Sequence, residues 1–535
     1  MFTEDQDFVY IMGKTKNENE ILRDLDGVWV KNKGHKFPKN FWCMNELEKY
    51  FPQLKTNVGF QNTKDKLELS FATLITLKTK EIVSNPKLRP YQNQDVFYLF
   101  NMPAAGVFNE PRTGKTPTTI ELIRTLGAQR NIIICPASLI WNWKKEFEQW
   151  YPEHYTVVVN GSKKDRADTY EWFSLSTSKA TLIISKDTFK QDRPSMEFEV
   201  AVVDEAHFLR NHNSAQSKAI CGIRAKRKYA LTGTPTVKHA ADIYGIMKFL
   251  YPSKFSSYWA FVGRYFHTYN NGFGQKLADV KRHRKTELQE MIGLMSVQRK
   301  RKDVMQWLPD KQWITIPIIM GKKQCGLYDQ MSSDFFAMDD EQEHSIDAMT
   351  ALTKLLRLRQ LSLDPRLVGF DVAGAKTDAI LEYLEDNKEP VVIMSMFTSY
   401  LKLIASLLPA KVDYGMITGE TSTLVRQKSV EAFQKGKLNV IFCNIIAAGV
   451  GLTLDRAETI IFTDKAWNPA DNEQAEDRIT PVSKERNHKH SIITFESMAS
   501  VDAHMNKLLY EKKSLTNLVN EGGIQAVKKL IRGVL

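Results

Sequence analysis

The stretch Val200-Ala201-Val202-Val203-Asp204-Glu205-Ala206-His207 decides the fold of this chain. Four small or β-branched apolar residues without polar alternation read as a strand buried on both faces, as in a parallel sheet covered by helices. The strand ends in two carboxylates, and in open α/β sheets ligands bind at the C-terminal ends of strands. Asp204 is therefore a candidate to hold a magnesium ion, and Glu205 a candidate to polarise an attacking water. An acidic pair favoured by the positive end of a helix accounts for the same residues without any chemistry.

Working outward, the same rhythm recurs upstream in Asn131–Cys135 (NIIIC) and Thr181–Ser185 (TLIIS), each followed by helix-compatible sequence. It stops in a polar and aromatic stretch from Pro252 to Asp364, then restarts in Pro390–Ser395 (PVVIMS), Asn439–Asn444 (NVIFCN) and Glu458–Asp464 (ETIIFTD). Repeated βα units imply an α/β protein with two parallel-sheet lobes. The expected organisation is an accessory module over 1–85, a first lobe over 86–253, a helical insertion over 254–370, and a second lobe with C-terminal helices over 371–535. Within the first module, Val28–Phe37 (VWVKNKGHKF) predicts a hairpin turning at Lys33-Gly34.

With 535 residues, 43% hydrophobic and 25% charged, the chain can bury several cores, and a mainly disordered protein is excluded. Its formal net charge of +12 favours a polyanionic partner, although charge spread evenly over a surface gives the same total. Five scattered cysteines without a C-x-x-C pair argue against a disulfide framework and a zinc ribbon. No signal peptide and no membrane-length apolar run is visible, so a soluble, cytoplasmic protein without a membrane partner is expected.

A second chemical signal is the run Asn109-Glu110-Pro111-Arg112-Thr113-Gly114-Lys115-Thr116. Amides at the helix start that follows can bind phosphate oxygens, Lys115 can reach the β and γ phosphates, and the Thr116 hydroxyl can ligate magnesium. Asn109 stands where the full phosphate-loop pattern has glycine, and on this motif alone a solvated turn is the better reading.

Leu88–Gln92 (LRPYQ), this loop, Ile133–Phe147 (IICPASLIWNWKKEF), Asp204–His207 (DEAH), Leu231–Pro235 (LTGTP), Ala447–Leu454 (AAGVGLTL) and Asp464–Arg478 (DKAWNPADNEQAEDR) follow one another in a set order. Over about residues 88–515 the chain resembles the Swi/Snf-type ATPases of helicase superfamily 2. The resemblance implies two RecA-like lobes, ATP and Mg2+ as the nucleotide and cofactor, and double-stranded DNA as the partner. It makes Gln92 the adenine reader and places Asn109-Glu110 on the family's Asp-Glu step. Thr232 and Thr234 take the motif that couples hydrolysis to lobe movement. Asp303-Val304 and Arg359-Gln360 fall on signatures of the second half. Gly449 and Gly451 take the loop that contacts nucleotide and nucleic-acid backbone, and Gln474 and Arg478 the last motif, with Arg478 facing the γ-phosphate.

Where the family continues with a second arginine, this chain has Pro481 after Arg478-Ile479-Thr480. Arg478 then acts alone or Arg486 supplies the second cation. The Trp141, Trp143, Phe147 and Trp150 stripe reads as lobe packing. The basic runs Lys281–Lys285 and Arg299–Lys302 read either as solvated faces or as DNA contacts. Interleaved cations and aromatics from Trp29 to Trp42 suit backbone contact with base stacking, and this segment weakly resembles HARP-like modules. The expected function is a translocase on duplex DNA. The alternatives are a strand-separating or annealing helicase on forked or branched DNA, and a DNA-binding scaffold with a decayed ATPase.

Overall fold

The apolar runs form two separate parallel sheets in the computed structural model, which describes residues 2–5, 7–79, 85–236, 239–270, 275–308, 310–340, 348–448, 452–481 and 490–511. The chain divides into two compact units, Met1–Val304 and Met305–Leu535. The stretch 254–370 is shared between them.

In the first unit a seven-stranded sheet runs in the order Ser296–Val297, Ala104–Val107, Arg224–Leu231, Glu197–Val203, Arg130–Cys135, Ala180–Ser185, Tyr155–Val159. Every neighbouring pair is parallel. Ile132, Ile133, Ile134, Val202 and Val203 are all fully buried, and each such side chain contributes about 1.5–3 kcal/mol. The order sets three adjacent strand ends side by side: Val107 leads to the glycine-lysine-threonine loop, Leu231 to Thr232, and Val203 to Asp204. The second unit carries a six-stranded parallel sheet in the order Gln312–Ile318, Ser491–Ser497, Thr459–Phe462, Val391–Ser395, Val440–Asn444, Tyr414–Ile417. None of the described helices is long and apolar enough to cross a membrane, and the five cysteines are unpaired.

The N-terminal residues form an antiparallel sheet ordered Phe2–Glu4, Phe8–Ile11, Gly34–Pro38, Val28–Val30, packed on helices Phe41–Tyr50 and Val58–Thr79 around Val9, Phe37, Met44 and Phe60. The predicted hairpin is present, but its turn is Lys31–Lys33, with Asn32 at φ +64°. Gly34 already belongs to the returning strand, where a Cβ would stand 2.5 Å from the Ile11 carbonyl oxygen.

The basic run at Lys281–Lys285 divides between two roles. Lys281 pairs with Asp26 at 2.6 Å, and Arg284 pairs with Asp26, Glu46 and Glu287. Glu287 in turn accepts both arms of Arg264, at 2.9 and 2.8 Å. These two cations fasten the N-terminal module to the rest of the first unit and are not available as DNA contacts; Arg282, His283 and Lys285 remain exposed. Removing one member of a buried ion network strands its partners. Arg284→Met is therefore expected to lower the stability of the first unit by about 3 kcal/mol, read as an earlier denaturant midpoint.

Candidate functional site

Helix Lys115–Leu126 starts from Gly114 in the left-handed region at φ +83°. A Cβ at Gly114 would lie 2.2 Å from Gln92 Nε2, so glycine is required by both backbone and neighbour. Gln92 is buried against the loop: its Nε2 donates to the carbonyls of Thr113 and Gly114 at 3.4 and 3.3 Å, while its Oε1 accepts the Arg89 amide at 2.8 Å. Lys115 Nζ crosses the loop and donates to the Asn109 carbonyl at 2.9 Å and the Glu110 carbonyl at 3.4 Å. Thr113 Oγ1 closes the turn on the Glu110 carbonyl at 2.7 Å. Thr116 is half-buried in the first helical turn, and Arg112 adopts φ +70°.

The Asn109 and Glu110 side chains serve the loop's foundations. Asn109 Nδ2 donates to Asp95 at 2.8 Å, and Arg299 pairs with the other oxygen of the same buried carboxylate at 2.8 Å. Burial pushes the Asp95 carboxyl up in pKa, and Arg299 and Asn109 pull against it. Glu110 accepts the Arg301 amide at 2.7 Å. Pro111 abuts the neighbouring Thr-Gly-Thr loop so closely that a Cβ on Gly233 would meet its Cδ at 2.9 Å.

At the next strand end but one, Asp204 is 8% exposed. Its Oδ1 accepts the Glu205 amide at 2.8 Å, and its Oδ2 accepts the indole N–H of Trp143, also at 2.8 Å. Burial, aided by the Glu205 charge, pushes the Asp204 carboxyl up to about 6, while the Trp143 and Glu205 hydrogen bonds and the Lys115 charge oppose the rise. Glu205 sits at φ +49°, which is uncommon for a non-glycine residue, where the chain leaves the strand for the short helical turn Ala206–Arg210. His207 Nδ1 stands 3.3 Å from the Glu205 carboxylate and 3.4 Å from Thr232 Oγ1. Thr232 Oγ1 also accepts the Thr234 amide at 3.1 Å, so the histidine links the acidic pair to the Thr-Gly-Thr loop.

The structure thus brings together Gln92, Asn109 to Thr116, Asp204 and Glu205 in the first unit. In the second unit, Arg478 is buried, with Nε donating to the Gln474 carbonyl at 3.0 Å and Nη1 to the Leu452 carbonyl at 3.2 Å. Its neighbours Glu476 and Asp477 pair with Lys311 at 3.2 and 2.9 Å. Gly449, Gly451 and Arg486 lie outside the described residues. Arg359 is fully enclosed, donating to Asp464 at 3.0 Å and to the Lys465 carbonyl at 2.7 Å between the rings of Phe397 and Trp467. Sequence reasoning missed Trp143 as a partner of Asp204; only the polar handle of a buried indole, which needs an acceptor, could have pointed to it.

A parallel sheet that carries a Gly-Lys-Thr helix start and, two strands away, an acidic strand end defines the RecA-like class of α/β fold, here with a second parallel-sheet lobe. The chain belongs to the SNF2-related family: the SNF2-related domain matches residues 91–367, and the helicase conserved C-terminal domain matches residues 375–480. It is 27% identical to an uncharacterized ATP-dependent helicase of Mycoplasma genitalium, over 75% of this chain and 39% of that one. It is 26% identical to the human SWI/SNF-related matrix-associated actin-dependent regulator of chromatin subfamily A member 1, over 76% and 41%. To the DNA repair and recombination protein RAD54-like of Drosophila willistoni it is 26% identical, over 83% and 65%. The chain therefore spans about two-fifths of the first two relatives' length. Among solved structures it is similar to the Sulfolobus solfataricus SWI2/SNF2 ATPase core in complex with dsDNA, with 24% identity, a TM-score of 0.40, and coverage of 85% of this chain and 98% of that one.

Proposed function

We propose that this chain is an ATP-hydrolysing motor that translocates on double-stranded DNA. The observation that carries the reading is the convergence of the phosphate loop, the Thr-Gly-Thr loop and the Asp204-Glu205 pair at three adjacent strand ends. The amides opening helix Lys115–Leu126 and the Lys115 ammonium hold the phosphates. Glu205 orients the attacking water and takes its proton. His207 and Thr232 are placed to relay the state of that carboxylate to the neighbouring loop. Arg478, together with Gln474, is proposed to meet the γ-phosphate during hydrolysis, and Gly449 and Gly451 to contact the nucleotide.

Magnesium fits the residues present. The hydroxyl of Thr116 and the carboxylate of Asp204 are hard oxygen donors, and the buried Asp204 carboxylate beside the partly exposed Glu205 favours a compensating cation. When bound, the ion would neutralise phosphate charge and polarise the phosphoryl oxygens. Residues 1–85 are proposed as an accessory module that handles DNA, and the protein as one that acts in the cytoplasm.

The test is ATP turnover measured side by side with no nucleic acid, single-stranded DNA, duplex DNA, forked DNA and RNA, combined with displacement of a third strand from a duplex. Duplex DNA should stimulate turnover most, with affinity falling steeply as salt rises because the contacts are to phosphates. Third-strand release without separation of the duplex is the expected motor output. Turnover indifferent to every nucleic acid would overturn the motor reading, and no turnover at all would leave the scaffold. One observation favours an annealing or strand-separating activity as a second reading. Trp29 is 56% exposed on the N-terminal sheet, edge-on to His35, with Lys33 over the Tyr10 ring nearby. Fork preference lost in Trp29→Ala would support it. Deleting residues 1–85 is the poorer test, because it strands Arg284 and Lys281.

A further inference from the structure

We propose that Trp143 is a positioning residue for cation binding: its indole N–H holds the Asp204 carboxylate in the orientation that presents it to the divalent ion accompanying the nucleotide. This rests on the reading of Asp204 as a cation ligand and deepens it.

Trp143 lies on helix Ile140–Trp150, 61 residues before Asp204, and is 1% exposed. Its neighbour Trp141, on the same helix, is 38% exposed. The sequence thus buries one of two closely spaced indoles and turns its only polar atom onto the acid. Phe147 packs against it at 6.2 Å between ring centroids, so the indole is held among apolar neighbours. A buried indole N–H needs an acceptor, and any main-chain carbonyl would serve. Here the acceptor is a carboxylate at 2.8 Å, a charge-assisted bond.

The geometry at the acid is complementary. Each carboxylate oxygen accepts one N–H, Oδ1 from the Glu205 main chain and Oδ2 from Trp143. Two donors on two oxygens fix both torsions of the side chain, and each oxygen keeps a further lone pair for a cation. The main-chain donor moves with Asp204 itself. Trp143 is the donor that comes from another element, so it anchors the carboxylate to the sheet's helical cover. Outer-shell donors of this kind typically carry 10–100-fold in metal affinity or activity.

The experiment measures binding of a fluorescent ATP analogue to the full chain, with EDTA and across a Mg2+ titration, for wild type, Trp143→Phe and Asp204→Asn. A fourth protein carries benzothienylalanine at position 143, which keeps the indole's shape and lacks its N–H. In Trp143→Phe and in the benzothienyl protein, the EDTA affinity should stay within about twofold of wild type while the apparent Mg2+ affinity falls about 10-fold. Unfolding curves establish that each variant is folded, and the benzothienyl protein decides the matter should Trp143→Phe fail to fold. Unchanged Mg2+ affinity in the benzothienyl protein overturns the positioning role. Equal loss of affinity with EDTA and with Mg2+ also overturns it, in favour of plain packing. If Asp204→Asn leaves the Mg2+ response intact, the assignment of Asp204 itself is what fails.

Discussion

Glu205→Gln is expected to lower ATP turnover by about 10²–10⁴-fold while leaving ATP affinity within a few-fold of wild type. As the proposed general base, the carboxylate would act on the water and not on the bound phosphates, so its loss would be felt in the chemical step. Glutamine keeps the side-chain length and tolerates φ +49° about as well as glutamate, so the strand end should not refold around it. Lys115→Ala is the contrasting case. Its ammonium already braces the Asn109 and Glu110 carbonyls, so alanine removes a strut of the loop together with the proposed phosphate contact. Turnover and ATP affinity should fall together. Equilibrium binding of ATP and single-turnover hydrolysis on both variants check the pair, and wild-type turnover in Glu205→Gln would refute the assignment of the general base.

Arg478→Gln should lower hydrolysis by about 10³–10⁵-fold with ATP affinity nearly unchanged, the cost of removing an arginine from a transferring phosphoryl group. Glutamine is a better choice than alanine. The guanidinium donates to the Gln474 and Leu452 carbonyls, and alanine would leave buried acceptors unpaired at about 1–3 kcal/mol. An amide can still serve one of those carbonyls while removing the charge, which separates chemistry from packing. Arg486→Ala is the companion: Pro481 carries no charge, so if a second cation is required, Arg486 is the nearest arginine after it. Single-turnover hydrolysis with saturating duplex DNA, beside the unfolding midpoint of each variant, decides between one arginine and two. Unaffected hydrolysis in a folded Arg478→Gln protein would remove Arg478 from the site.

The parallel sheets were legible because their strands are short β-branched runs bounded by polar motifs, and such runs have few other ways to bury both faces. The acids after Val203 could be placed at a strand end for the same reason, whereas Ala104–Val107 (AAGV) is no β-branched run, and its place as the strand before the Gly-Lys-Thr loop shows only in the fold. What local sequence cannot carry is the identity of a distant partner. The stripe Trp141 to Trp150 was readable as packing, and Trp143 and Phe147 are indeed buried, but the bond from Trp143 to Asp204 depends on where the helix lands. Lys281–Lys285 looked uniformly basic because its acids, Asp26 and Glu46, lie more than 200 residues earlier. Asn109 looked like a defect in a phosphate loop, yet its amide belongs to a buried carboxylate on the preceding helix.

The short edge strand Ser296–Val297 has a practical consequence for anyone cutting this protein into pieces. From Met295 to Arg301 the chain is laced to the phosphate-loop strand: Gly106, Phe108 and Glu110 donate to the carbonyls of Met295, Val297 and Arg299, and Arg301 returns an amide to Glu110. Arg299 meanwhile neutralises Asp95. A truncation that stopped at the last residue of helix Lys285–Leu294 would look tidy on paper. It would peel away the sheet's margin beneath the Gly-Lys-Thr loop and bare an acid in the interior. The natural place for scissors, a split tag or a hinge label is past Val304, where the lacing has ended and the first unit keeps its own hem.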